Sequence, residues 1–281
     1  MASQETDRGE PRVITRAGEL MLAGNRRGFL RAVFAGGTVL MMPSVFTGCA
    51  DDDGGGGNPV GFIPEPVTGL ALDLRTDMGI FRLIHIQEQL ESAFYAAVVG
   101  SSRFGSLFNV YERELLMDLH TTEAIHREFI GAALGTQAVP DIRGSIDAEV
   151  LASIVTSHEQ VFATARMLEQ TGLAALNGMG KYIQDSRNLL VVGKLASVEA
   201  RHSAALRDMA TPPGQNRNTA FAGDDIIDEN GRDVKLEAQP AIDRQIATGL
   251  VRTGTYGSPA VANPPASAQG APTSNFFPAN P

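Results

Sequence analysis

Apolar residues recur at helical spacing in four long stretches of the chain, at about residues 70–100, 106–135, 147–176 and 186–209. In each stretch the apolar positions repeat about every seven residues, which is typical of helices that bury one face in a shared core. The pattern therefore predicts an all-α four-helix bundle. About twelve residues separate the second stretch from the third. At about 3.3 Å per residue they can span a bundle helix, so a long crossover connection is allowed.

Two Glu-x-x-His pairs stand in the second and fourth predicted helices, Glu123–His126 and Glu199–His202. Residues three apart on an α-helix project from one face, one turn above the other. Apolar residues stand seven positions before and after each of the four, so both pairs interrupt the side that is predicted to face the core. Ionisable groups are costly in a core unless they have partners. A metal ion is the simplest partner for both pairs.

A single glutamate interrupts the core-facing side of each remaining helix, Glu88 in the first and Glu169 in the third. The order Glu, Glu-x-x-His, Glu, Glu-x-x-His is the ligand set of dimetal-carboxylate helix bundles. Four carboxylates and two neutral imidazoles also balance the charge of two divalent ions. Glu91, one turn after Glu88, is an alternative ligand, although the seven-residue spacing favours Glu88. A buried network of glutamate and histidine without metal is the other alternative.

Four phrases in these helices resemble the ferritin-like superfamily, and more narrowly the bacterial ferritin-like domain family that includes desiccation-related proteins. Within residues 70–210 they are Q-E-Q-L-E-S-A-F-Y, T-E-A-I-H-R-E-F-I-G-A-A-L, L-E-Q-T-G-L-A-A-L and S-V-E-A-R-H-S-A-A-L-R. The resemblance implies a ferritin-like four-helix bundle with a long helix 2–3 crossover. It also implies a site for two iron or two manganese ions, with iron favoured. The implied metal ligands are Glu88, Glu123, His126, Glu169, Glu199 and His202.

Further residue roles follow from the same resemblance. Tyr95 stands where many members of the family keep a tyrosine near the metals, which makes it the candidate catalytic residue. Leu176 stands where the phrase L-E-x-T-G-x-A-A-Y would supply a second tyrosine, so this chain lacks that hydroxyl. The resemblance also implies that Glu123, together with Glu199 or Glu169, bridges the two ions.

The N-terminal segment has the features of an export signal. The phrase N-R-R-G-F-L-R at 25–31 resembles a twin-arginine motif and is followed by an apolar run that ends at F-T-G-C. Cys49, the single cysteine, is expected to carry a lipid anchor. We therefore expect residues 1–48 to be a signal peptide and residues 49–69, rich in Gly and Pro, to be a lipid-anchored flexible tether. The expected location is the cell envelope or periplasm, with the lipid as the contact to the membrane.

The formal charge of −9 argues against general nucleic-acid binding, so small oxidants or metal ions are the expected partners. A lipid tether and long acidic and proline-rich ends would hinder a closed multi-subunit shell. We therefore expect a monomer or a small homo-oligomer.

The segment after the bundle differs in character. In residues 211–251, the dipeptide Asn230-Gly231 between two alternating β-branched runs predicts a β-hairpin, and a short helix is predicted from Pro240 to Val251. Residues 252–281 are rich in Pro, Ala and Ser, which predicts a disordered or extended tail. The expected architecture is thus an all-α bundle with a small C-terminal β-hairpin and irregular extension.

Two functional hypotheses follow from these patterns. The first is an exported dimetal-carboxylate protein with redox chemistry on Fe(II), O2 or peroxide, either a di-iron oxidase of the ferroxidase kind or a dimanganese catalase. Glutamate and histidine suit both metals. The alternative is a non-enzymatic envelope lipoprotein for stress protection or metal binding, in which bound metal mainly stabilises the fold.

Overall fold

The computed structural model describes residues 64–265 of the 281-residue chain. Four long helices dominate it, and a two-stranded parallel sheet and three shorter helices accompany them. The elements are β1 (Leu70–Asp73), α1 (Asp77–Val99), α2 (Phe104–Leu107), α3 (Val110–Leu134), α4 (Ala148–Ile154), α5 (His158–Met179), α6 (Ser186–Met209), α7 (Ala238–Ala247) and β2 (Tyr256–Asn263). The predicted four-helix bundle is confirmed. Within the described residues, no helix is both long and apolar enough to span a membrane.

Local side-chain hydrogen bonds set where the long helices begin. At the start of α3, Asn109 Oδ1 accepts from the Glu112 backbone N–H at 3.1 Å, and Glu112 Oε2 accepts from the Asn109 N–H at 2.8 Å. This reciprocal capping satisfies two backbone donors that the helix itself leaves unpaired. At the start of α6, the Asp185 side chain accepts from the Arg187 N–H at 2.8 Å. Such caps are properties of short sequence segments, so they position the helices independently of the core.

The connection between α3 and α4 runs back along α1. The Val139 N–H donates to His85 Nδ1 at 3.2 Å, and the Ile142 N–H donates to Gln89 Oε1 at 2.9 Å. The chain then reaches the opposite end of the bundle. There the ring of His158, the first residue of α5, lies with its centroid 5.5 Å from that of Phe108, just before the start of α3. The predicted long crossover is therefore present, and it makes α3 and α5 parallel.

The core of the bundle continues into the segments on either side of it. Buried apolar residues form one cluster that includes Leu72 of β1, Phe94 of α1, Phe162 of α5 and Ile242 of α7. All four are almost completely shielded from solvent, and burial of apolar area is the main term that favours folding. The C-terminal extension is thus packed on the bundle rather than appended to it.

Two predicted helix boundaries were wrong. The first helix was expected from about residue 70, but Leu70–Asp73 form strand β1, and α1 begins at Asp77. The third was expected to be continuous from residue 147, but it is divided into α4 and α5. The division occurs because the Ser157 side chain accepts from the Gln160 N–H at 3.3 Å and begins a new helix there.

The C-terminal predictions need similar correction. The Asn230-Gly231 turn closes an isolated antiparallel bridge between Ile227 and Asp233 rather than a regular hairpin. Part of the predicted tail is strand β2, which is ordered because it pairs with β1. The end of the predicted tether is also packed, since the Val67 N–H donates to Ser145 Oγ at 2.8 Å. The predicted signal peptide and Cys49 lie outside the described residues.

Candidate metal centre

The structure brings together all six predicted metal ligands, each from near the middle of a long helix. They form two groups of four, and within each group the nitrogen and oxygen atoms lie within 4.8 Å of one another. One group contains Glu88 and His126, the other contains Glu169 and His202, and both contain Glu123 and Glu199. All four glutamates are at most 2% exposed. The site is therefore a buried cluster of carboxylates and imidazoles at the middle of the bundle.

Three carboxylates surround the imidazole of the first group. His126 Nδ1 lies 3.1 Å from Glu123 Oε2, 3.2 Å from Glu199 Oε1 and 3.3 Å from Glu88 Oε2. A ring N–H donates one strong hydrogen bond, so it cannot satisfy three carboxylates at once. Glu88 Oε2 and Glu199 Oε1 indeed form no hydrogen bond despite these short distances, because the geometry is not that of one.

The second group repeats the arrangement with the opposite oxygens of the shared residues. His202 Nδ1 lies 2.8 Å from Glu123 Oε1, 3.2 Å from Glu169 Oε2 and 3.7 Å from Glu199 Oε2. Glu123 and Glu199 therefore each present one oxygen to each imidazole. The two rings are stacked with their centroids 6.3 Å apart. A carboxylate that faces two positions in this way has the geometry to bridge two cations.

The protonation of the cluster reflects its burial. Burial raises the pKa of Glu88 well above its usual range, and His126 offsets only part of this effect. Burial and the neighbouring Glu199 raise the pKa of Glu169 to about 7. Burial lowers the pKa of His202, but the close carboxylates, first Glu123, outweigh this effect and raise the value to about 12. Without a cation, the cluster therefore retains protons that a solvated site would release.

The donor set fits two divalent cations. Hard carboxylate oxygens and imidazole nitrogens suit iron and manganese, and four carboxylates with two neutral imidazoles carry the charge that two such ions neutralise. Buried oxygens of Glu88, Glu123 and Glu199 form no hydrogen bond. A network of glutamate and histidine alone leaves these atoms unsatisfied, so the geometry favours the metal over the metal-free alternative.

Tyr95 belongs to the second group. Its hydroxyl donates to Glu169 Oε1 at 2.6 Å, and its ring is completely buried. Burial and then the charge of Glu169 raise the pKa of Tyr95, so the phenol keeps its proton. The hydrogen bond holds Glu169 with its other oxygen toward His202. The catalytic role of Tyr95 stays a prediction.

Other polar residues lie beside the two groups without belonging to them. Glu91, the alternative to Glu88, is completely buried but contributes to neither group. It accepts a hydrogen bond from Gln87 Nε2 at 2.7 Å. Sequence reasoning missed Gln87, although it is a polar neighbour of Glu88, and it missed Gln245 of α7, which donates to Gln87. Gln245 lies 158 positions after Gln87 in the sequence, so no local pattern points to it.

Comparison with known families agrees with the fold. Residues 76–212 match the family model described as the ferritin-like domain. This range contains the four long helices and all six predicted ligands, and the match supports the ferritin-like superfamily for the bundle. No curated protein and no solved structure gives a significant match to the chain. Helix α7 and strand β2 lie outside the matched range.

Proposed function

We propose that this protein binds two divalent metal ions in the cluster and uses them for redox chemistry on Fe(II), O2 or peroxide. The observation that carries the proposal is that Glu123 and Glu199 each present a separate oxygen to each of two buried imidazoles. The match to the ferritin-like domain supports metal binding. The unpaired carboxylate oxygens support it independently.

Glu88 and His126 would hold one ion, Glu169 and His202 would hold the other, and Glu123 and Glu199 would contribute to both. Iron, which we favour, or manganese would supply redox equivalents and open coordination positions.

The surrounding residues orient the ligands and exclude water. The Tyr95 hydroxyl donates a hydrogen bond to Glu169 and so orients this carboxylate. The raised pKa of Tyr95 means that the proton stays on the phenol oxygen. Leu116 and Ile130, one heptad to either side of Glu123, are completely buried and keep bulk water away from the bridging carboxylate. In such an environment the interactions of the charged groups are stronger than in water.

Glu123→Ala tests the proposal, because it removes an oxygen from both groups. We expect the purified wild-type chain to bind two iron or manganese ions, and to oxidise Fe(II) with O2 or consume peroxide. The variant should lose most of the bound metal and the turnover. Glu114→Ala, an exposed glutamate on the same helix, is the matched control and should behave as wild type. Turnover by metal-loaded wild type no higher than that of Glu123→Ala would contradict the redox proposal.

The second candidate function is a non-enzymatic one, in stress protection or metal binding. The observation that favours it is Leu176, which stands where the resemblance predicts a second tyrosine. Bound metal would then stabilise the folded state by mass action. A large metal-dependent rise in Tm without turnover would select this function over the first.

We also propose that the protein is exported by the twin-arginine route and anchored through Cys49. The support is the sequence alone, the Arg26-Arg27 pair and the single cysteine, which lie outside the described residues. Export of a folded chain would allow metal to be loaded beforehand. Replacement of both arginines by lysine should retain the precursor in the cytoplasm. Mass spectrometry of the mature wild-type protein should find a lipidated Cys49 at the N-terminus, and an unmodified Cys49 would contradict anchoring.

A further inference from the structure

A small cavity lies against the first ligand group. Its volume is about 20 Å³, which is enough for one water-sized molecule. Glu88 and Glu199 line it from the proposed metal centre, and Leu176 and Met179 of α5 line it from an apolar side. The remaining polar lining comes from Gln87, Glu91 and Gln245. The cavity is therefore a mostly apolar pocket with a few hydrogen-bonding groups beside the candidate ligands.

Glu91 is the lining residue outside the two ligand groups that has an unpaired carboxylate oxygen. It is completely buried, and its Oε1 accepts from Gln87 Nε2 at 2.7 Å. Its Oε2 is also buried and has no hydrogen-bond partner among the described residues. Native proteins rarely leave such an atom unpaired, because its desolvation is then uncompensated. A polar molecule in the cavity would provide the partner.

A chain of buried hydrogen bonds fixes Glu91 from the C-terminal extension. Tyr256 donates to Gln245 Oε1, Gln245 Nε2 donates to Gln87 Oε1, and Gln87 Nε2 donates to Glu91 Oε1. All three hydrogen bonds run in the same direction, from Tyr256 toward Glu91. Each glutamine therefore accepts through its carbonyl oxygen and donates through its NH2 group, which fixes the orientation of its amide. Glu91 Oε1 is thereby committed as an acceptor, and Oε2 is the atom left for another molecule.

Helix α5 packs tightly against the side chains of Gln87 and Glu91. A Cβ at Gly172 would lie 3.3 Å from Glu91 Oε1 and 3.4 Å from Gln87 Cγ, so a larger residue would press on both side chains. Gln87 Nε2 also donates to the Leu168 carbonyl at 3.2 Å. The glutamine is thus held by both α5 and α7, and Glu91 has little freedom to turn toward the ligand groups.

We propose that Glu91 binds a small neutral hydrogen-bonding molecule, of the class of water and hydrogen peroxide, in the cavity beside the metal centre, and that Gln245 positions Glu91 through Gln87. The inference rests on the proposed metal centre, whose ligands Glu88 and Glu199 form the facing wall. It assigns a functional role to α7, which lies outside the ferritin-like match. Peroxide is the substrate class that matches the chemistry of this pocket, because it offers both donors and acceptors with only two heavy atoms.

Crystals of the full chain loaded with Zn(II), which cannot turn peroxide over, test the binding directly. We expect one ordered oxygen atom at hydrogen-bond distance from Glu91 Oε2, and its replacement by a two-atom molecule after a hydrogen peroxide soak. Retention of the single atom would identify water as the occupant and overturn the substrate assignment. Absence of any ordered molecule at Glu91 in wild type would overturn the whole inference. If zinc does not bind, the proposed function fails, whereas an ordered molecule at Glu91 still reports on the cavity.

Substitutions at Glu91 and Gln245 distinguish binding of the small molecule from metal ligation by Glu91 and from a purely structural role. Glu91→Leu removes both carboxylate oxygens at similar size and should leave two zinc ions bound, while the KM for peroxide of the iron- or manganese-loaded protein rises about tenfold, as expected for one lost hydrogen bond. A fall to fewer than two zinc ions would make Glu91 a ligand and overturn the proposal. Gln245→Leu should also raise this KM severalfold, whereas Gln239→Leu, an exposed glutamine of the same helix, should not. An unchanged KM in Gln245→Leu would overturn the positioning role.

Discussion

The two ligand groups share the same sequence pattern but have different surroundings. Glu169 in the second group is held by a hydrogen bond of 2.6 Å from Tyr95. Glu88 in the first group has no such donor; its Oε2 forms no hydrogen bond, and its side chain borders the cavity. Glu169 in the second group is thus held by a hydrogen bond, whereas Glu88 in the first group faces a space that a small molecule can occupy. Repetition of a sequence motif therefore does not make the two ligand groups equivalent.

The residues one heptad after each glutamate explain the difference. Tyr95 follows Glu88 by seven positions but donates to Glu169. Leu176 follows Glu169 by seven positions and borders the cavity together with Glu88. Each residue therefore lies beside the ligand group of the other helix rather than beside the glutamate of its own helix. This occurs because side chains from neighbouring helices meet in the core of the bundle. Leu176, which stands where the resemblance predicts a second tyrosine, thus borders the cavity.

The largest expected effect comes from removing one imidazole at a time. His126→Ala should eliminate the first ion and retain the second, and His202→Ala should do the reverse, since each histidine belongs to one group only. Metal titration followed by elemental analysis should find about one ion in each variant. His120→Ala, on the same helix as His126 but outside both groups, is the control. Loss of both ions in either variant would mean that the positions are not separable.

A smaller effect is expected from Tyr95→Phe, which should weaken the second position only. Outer partners of metal ligands typically contribute about ten- to hundredfold to affinity, so the second ion should dissociate more readily while the first is retained. The buried Glu169 oxygen also loses its donor, which should cost about 1–3 kcal/mol in the free energy of unfolding of the metal-free protein. Tyr111→Phe replaces an exposed tyrosine and serves as control. Equal weakening of both positions would contradict the asymmetry.

The smallest effect concerns pH and follows from Glu169, whose pKa is raised to about 7. A carboxyl with a raised pKa stabilises the metal-free fold below its unfolded value, and this contribution is lost as pH rises through about 7. The raised pKa of His202 acts in the same direction at higher pH. The Tm of metal-free protein should therefore fall from pH 5 to pH 8.

Metal binding should show the opposite trend, because protons compete for the same oxygens. A single group of this pKa makes the apparent affinity about tenfold weaker at pH 6 than at pH 8. The metal-dependent rise in Tm, measured by calorimetry, should accordingly grow with pH. In Glu169→Gln the part of this pH dependence that belongs to the second position should disappear, and an unchanged profile would refute the assignment to Glu169.

The sequence was sufficient for the bundle and for choosing the candidate ligands that the structure brings together, since both depend on periodicity. Glu123 and His126 interrupt an apolar heptad pattern, and this is visible without coordinates because helix geometry relates residue number to direction. The same reasoning preferred Glu88 to Glu91, and the structure places Glu88 in the ligand group. The break before α5 was missed because a serine cap competes with helix continuation through a local hydrogen bond that periodicity does not register.

What only the tertiary structure decided is which residues meet across the chain. The pairing of β2 with β1, and the line of hydrogen bonds from Tyr256 through Gln245 and Gln87 to Glu91, join segments far apart in sequence. Such contacts leave no periodic signal, because they depend on how α7 packs against the bundle rather than on the repeat of any one helix. The sequence by itself determined which carboxylates and imidazoles make up the candidate metal centre. The packing determined that Tyr95 holds Glu169 and that Glu88 faces the cavity.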